Sequence, residues 1–208
     1  YEIGSGLVGS EMCIETGIGG RKKKDGEESD ACASTSDITI TGGQIKAGSL
    51  IETKEEYHQP EYSGAGIGGA TGHGNATNIT ITGNADVSAA GGYYAAGIGG
   101  GDDGNDTNIT ISGNDTRVTA TGKDGGAGIG GGQHGSGSNI TISGGEVNAI
   151  GGKNGAGIGG GSRGTGSDIK ITGGEVNASG GVNGAGIGGG LRSKGNDITV
   201  SGDTKLKV

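Results

Sequence analysis

Two short patterns alternate along the chain, and both have the period-2 spacing of a half-buried strand rather than the 3.6 spacing of a helix. The first reads Asp/Asn-Ile-Thr-Ile-Thr/Ser-Gly, as in Asp37 to Gly42, Asn78 to Gly83, Asn108 to Gly113 and Asn139 to Gly144. Its Ile residues point one way and its Asp/Asn and Thr residues the other, and β-branched residues suit a pleated surface. Ile38 and Ile40 are thus paired against Asp37, Thr39 and Thr41. The second pattern is a run such as Glu146-Val147-Asn148-Ala149 or Glu175-Val176-Asn177-Ala178, with Val and Ala expected inside. A third segment, Gly-Ala-Gly-Ile-Gly-Gly, puts Ala156 and Ile158 on one side with Gly between them. No helix is expected, because so much Gly disfavours one.

The patterns recur as a unit. Gly-Ile-Gly-Gly occurs with Ile at Ile18, Ile67, Ile98, Ile129, Ile158 and Ile187, at intervals of 49, 31, 31, 29 and 29 residues. One unit has too little apolar surface to fold by itself. Stacked units cover one another's Ile and Val, so the repeat implies a solenoid. The expected fold class is all-β: a parallel β-helix, or β-solenoid, of about six coils of 29–31 residues with three short strands each. The usual crossover rule favours a right-handed coil. Residues 1–36 are expected to form an N-terminal cap with a first irregular coil, and residues 37–208 the repeats. An inserted loop is expected at 48–63, the one stretch where composition shifts. The chain starts at Tyr1 and shows no polar C-terminal cap, which reads as a piece of a longer protein with other domains.

Composition narrows the function classes. Gly makes up 56 of 208 residues and Pro only one, without a three-residue period, which excludes collagen. Fifteen basic against 23 acidic residues give a formal charge of −8, which argues against nucleic acid as partner. No apolar run reaches 18 residues, so no transmembrane helix is expected. Cys13 and Cys32 are either a disulfide stapling the cap, which suits an oxidising compartment, or two unpaired small hydrophobes; their spacing does not fit zinc.

In a solenoid, equivalent residues stack, so candidate chemistry is read down columns. The Thr column, Thr39, Thr80, Thr110, Thr141, Lys170 and Thr199, is similar to the ice-binding face of some antifreeze proteins, although Lys170 interrupts it. Asp37, Asn78, Asn108, Asn139, Asp168 and Asp197 form a corner ladder of residues that hydrogen-bond along the axis. Glu146 and Glu175 on neighbouring coils are the one carboxylate pair that a β-helix polysaccharide hydrolase or lyase would use. Near-identical repeats produced both, so catalysis ranks below binding. The loop after Gly-Ile-Gly-Gly is the most varied position: Arg21, His73, Asp102/Asp103, His134, Arg163 and Arg192. Variation along one edge of a uniform rod is where binding specificity is expected. No cofactor is expected, although Asp102, Asp103 and Asp106 form an oxygen-rich stretch that would suit Ca²⁺, without the spacing of an EF-hand. His73 and His134 sit two coils apart, too far to share a metal directly. Tyr57, Tyr62, Tyr93 and Tyr94 offer sugar-stacking faces with a polar handle, and they lead the ligand-site candidates together with Asp102, Asp103 and His134.

The repeat running from Ala127 to Gly152, and again from Ala156 to Gly181, resembles Gly-rich repeat regions of large surface proteins from gut Firmicutes. More loosely, it is similar to right-handed β-helix carbohydrate-binding domains. The resemblance covers about residues 37–202. It implies an extracellular, secreted or cell-wall-attached module, adhesive or carbohydrate-binding, or a rigid spacer. The implied partners are polysaccharides or the glycans of glycoproteins, with no membrane insertion.

Overall fold

The computed structural model describes residues 18–19, 34–48, 64–70 and 72–208. The cap residues with Cys13, Cys32 and Arg21, and the insertion with Tyr57 and Tyr62, lie outside the described residues. The described chain is all β, with thirteen strands in two parallel sheets. One sheet stacks the two-residue strands β1 (Ile18–Gly19), β3 (Ile67–Gly68), β5 (Ile98–Gly99), β8 (Ile129–Gly130), β10 (Ile158–Gly159) and β12 (Ile187–Gly188) in chain order. The other stacks β2 (Thr35–Gly48), β4 (Ala76–Ala90), β6 (Asp106–Ile111) with β7 (Arg117–Thr121), β9 (Gly137–Ile150), β11 (Gly166–Ser179) and β13 (Gly195–Lys207). Six rungs, joined by about five turns, form a β-solenoid.

Register follows the sequence patterns. Ile79 pairs with Ile38 and Ile109, Ile140 with Ile109 and Ile169, and Val147 with Val118 and Val176. These columns are the core: Ile67, Ile98, Ile129 and Ile158 are fully buried, as are Ile79, Ile109, Ile140 and Ile169. The alternation expected for Glu146-Val147-Asn148-Ala149 holds, with Val147 and Ala149 buried and Glu146 exposed. The last rung has nothing stacked beyond it in the described chain. There Ile198 and Val200 are 40% and 44% exposed, although the same columns are dry one rung earlier.

The three expected strands per coil resolve differently. The first two segments run as one bent ladder of 13–15 residues, because a Gly in positive φ turns the chain without ending the pairing, as at Gly145 (φ 86°). Only the third rung splits, into β6 and β7, where the corner is longest. The buried Thr116 closes it by donating to the carbonyls of Ser112 (2.6 Å) and Gly83 (3.1 Å). At the short strands the coils approach too closely for side chains: a Cβ on Gly130 (φ 132°) would run into the carbonyl oxygen of Gly159.

Candidate functional site

Each short Ile-Gly strand is flanked by two turns, and the two turns form one edge of the solenoid. The turn before it carries Tyr93-Tyr94, then Lys123-Asp124, Lys153-Asn154 and Val182-Asn183 on successive rungs. The turn after it carries His73, Asp102-Asp103, Gln133-His134, Ser162-Arg163 and Leu191-Arg192. Backbone bonds lace the columns together: the Gln133 N–H donates to the Tyr94 carbonyl (2.6 Å), Ser162 N–H to Gly125 (2.7 Å) and Leu191 N–H to Asn154 (2.8 Å). A two-residue strand is too short to hold its flanking turns apart, so residues about ten positions apart in sequence share one surface.

This edge brings together five of the residues that the sequence singled out: Tyr93, Tyr94, Asp102, Asp103 and His134. Tyr93 and Tyr94 are 45% and 36% exposed, with ring centroids 6.4 Å apart and planes inclined at 59°. The Lys123 Nζ sits 3.9 Å over the Tyr93 ring, a cation–π contact that orients the ring. The sequence reading missed Lys123. Aligning the turn before each Gly-Ile places Asp124 and Lys153 at the position of Tyr93 and Lys123 one residue earlier, in the column of Gly92, so no column pattern marks it. Tyr94 has φ 63°, where a bulky residue is strained.

Asp103 lies between two imidazoles. His134 Nδ1 is 2.6 Å from its Oδ1 and His73 Nδ1 is 3.9 Å from its Oδ2. His73 and His134 therefore meet across one carboxylate. Beside it, burial and the neighbouring Asp103 charge push the Asp102 carboxyl up to about 6, against the pull of His134 and His73. Asp106 does not belong to this group. Its side chain faces inward and is wholly buried, in the column of Thr35, Ala76, Gly137 and Gly166. The Ca²⁺ candidate Asp102–Asp103–Asp106 is thus not one cluster: the alternation of β6 turns Asp106 into the interior. Among the described residues, no three His, Cys, Asp or Glu side chains are grouped to hold a metal ion.

Glu146 and Glu175 lie on the long sheet, where they are register partners. Both are exposed, and each faces a cation on its outer side: Arg117 Nε is 3.6 Å from Glu146 and Lys205 Nζ is 3.8 Å from Glu175. They form a surface charge ladder of the kind that exposed strands carry. The corner column is a hydrogen-bonded ladder. Asn78 donates to Asp37 (2.9 Å), Asn108 to Asn78 (2.9 Å) and Asn139 to Asn108, and all of these residues have positive φ. Asn and Asp tolerate that conformation best among side-chain-bearing residues.

A comparison with curated proteins and with solved structures finds no match. A family profile described as a beta helix repeat matches residues 38–73, 79–102, 109–133, 140–162 and 169–191, more than half of the chain. Each matched segment begins on the first Ile of a long strand and ends in the turn after the next Ile-Gly strand, one solenoid repeat at a time. The chain thus belongs to the beta helix repeat family.

Proposed function

We propose that this solenoid is an extracellular module that binds carbohydrate through its turn edge, acting as an adhesive element on a rigid rod. The observation that carries this reading is the Tyr93–Tyr94 pair, half-exposed on an otherwise Gly-rich edge, with Lys123 seated on one ring. An aromatic face stacks on the C–H face of a sugar ring, and the flanking Asp103, His134 and Lys123 supply donors and acceptors for its hydroxyls. The strained Tyr94 adds support, because residues that break a local backbone rule gather at functional positions. The resemblance of the repeats to surface-protein repeat regions supports the extracellular setting and glycans as partners. The same rod without a ligand would serve as a spacer.

The test is a glycan array probed with the wild-type chain and with the Tyr93→Ala/Tyr94→Ala variant. Binding that is lost in the variant supports the module as a lectin-like element. Absence of binding by the wild type removes this reading and leaves the spacer.

A further inference from the structure

The two turn columns are not uniform along the axis. Towards the first rungs they carry His73, Asp102, Asp103, Tyr93 and Tyr94; towards the last they carry Lys123, Lys153, Arg163 and Arg192. All four of these cations are exposed. The backbone bonds from Ser162 to Gly125 and from Leu191 to Asn154 set Arg163 beside the Lys123 turn and Arg192 beside the Lys153 turn. The strip is therefore two turns wide, and Arg163 and Arg192 share one column on neighbouring rungs whose backbones are about 4.8 Å apart. Among the described residues, the acidic groups on the edge are Asp102, Asp103 and Asp124; Asp103 is paired with His134, and one oxygen of Asp124 is buried. Arg163, Lys153 and Arg192 form no ion pair among the described residues, in which the pairs are His73–Asp103, His134–Asp103, Arg117–Glu146 and Lys205–Glu175.

The backbone gives a second indication. Arg163 and Arg192 both have positive φ, 65° and 59°, at a corner where Asn, Asp or Gly would be less strained. Here a chain carrying a charge of −8 places two long cations in an unfavourable conformation, on neighbouring rungs, one and two rungs beyond the aromatic pair.

We propose that the edge binds an acidic polysaccharide, a uronate or sulfated chain lying along the solenoid axis. One sugar stacks on Tyr93 and Tyr94, and the following carboxylates or sulfates meet Lys123, Lys153, Arg163 and Arg192. The inference rests on the carbohydrate-binding reading above and adds the charge of the ligand and its direction. The repeat of cations at strand spacing matches an extended polymer with one anion on each sugar, and a planar guanidinium engages a carboxylate or sulfate in two-pronged fashion. The overall negative charge keeps other polyanions at a distance except along this strip.

The experiment compares polygalacturonate with its fully methyl-esterified, neutral form on the same backbone. Single-stranded DNA of matched charge density serves as a third ligand. Wild-type chain and the Lys153→Ala/Arg163→Asn/Arg192→Asn variant are both measured by calorimetry at low and high salt. The Asn replacements relieve the corner strain, and thermal melting confirms that the variant is folded. The expected result is that polygalacturonate binds wild type and weakens roughly tenfold in the variant, as three lost exposed ion pairs would give. High salt should weaken it similarly, and the neutral polymer should be indifferent to the variant. If both polymers bind alike and the variant changes neither, the acidic-ligand inference is overturned while the carbohydrate reading stands. If DNA binds as tightly as polygalacturonate, the strip is a general anion surface and the inference is overturned. If neither polymer binds, the acidic-ligand inference is overturned, while the carbohydrate reading is decided by the glycan array.

Discussion

Asp106 sits in the dry interior of the coil, and replacing it with Ala should make the protein more stable. The side chain is wholly buried, and neither carboxyl oxygen completes a hydrogen bond of normal geometry. The nearby Thr107 N–H only partly offsets the burial, which raises the carboxyl well above its ordinary range. A buried polar group without a partner costs about 1–3 kcal/mol. Ala76 fills the same column one rung earlier and is fully buried, so the site accepts a methyl group. The Asp106→Ala change leaves a hole the size of a carboxyl group, worth about 0.5–1 kcal/mol. The net gain at acidic pH, where both folded and unfolded chains hold the proton, is then about 0–2.5 kcal/mol. The pH dependence sharpens the test. The folded-state value is raised, so the folded chain holds a proton that the unfolded chain releases above about pH 4. Wild-type stability from this group is therefore fully present below that pH and falls as pH rises, by up to about 1.4 kcal/mol per unit until the folded carboxyl also ionises. Urea melts of wild type and Asp106→Ala at pH 4, 5, 6 and 7 should show a gap that favours the variant and widens with pH. A variant less stable than wild type, or a gap that narrows with pH, would refute the reasoning and mean that the carboxylate is ionised and partnered.

Other outcomes follow from the same structure. Gly130→Ala should cost at least about 3 kcal/mol by thermal melting, because its Cβ meets the Gly159 carbonyl at a φ of 132° that side chains avoid; a loss under 1 kcal/mol would show that the rungs are farther apart. Tyr94→Asn should raise stability by about 0.5–1 kcal/mol by easing the positive φ while lowering glycan binding; a loss of stability would mean that the ring is held by packing. Asp102 is also raised, to about 6, so its contribution grows as pH falls from about 6 towards 4. In the Asp106→Ala background, Asp102→Asn should flatten what slope remains in that window, a change of no more than about 1–2 kcal/mol given its partial exposure. A slope unchanged by Asp102→Asn would show that the group titrates normally.

The interior of this fold is legible in sequence because the solenoid converts a one-dimensional repeat into columns. Ile38, Ile79, Ile109, Ile140 and Ile169 are aligned by eye and are aligned in space. The corner ladder of Asp37, Asn78 and Asn108 is legible for the same reason. Asp106 was not, since Asn105-Asp106-Thr107-Asn108 reads as a polar loop until its phase is set against Ala76 and Gly137. The edge was half legible. The column of His73, Asp103, His134, Arg163 and Arg192 stands out by its variation, but its junction with Tyr93, Lys123 and Lys153 depends on two turns folding around a two-residue strand. Lattice-like backbone bonds such as Gln133 to Tyr94 decide that, and no side-chain pattern encodes them. The Asp103 carboxylate between two imidazoles likewise needs the three rungs placed before it can be seen.

The central claim is that stacking in register, rather than any single unit, makes the interior. Deleting Ala127 to Gly155 removes one whole repeat and joins Gly126 to Ala156, which restores the same Gly-Ala-Gly-Ile sequence. Small-angle scattering with circular dichroism of this deletion should show a folded, strand-rich rod shorter by about 4.8 Å, the spacing of one rung. An expanded chain, or a rod of unchanged length, would contradict the account.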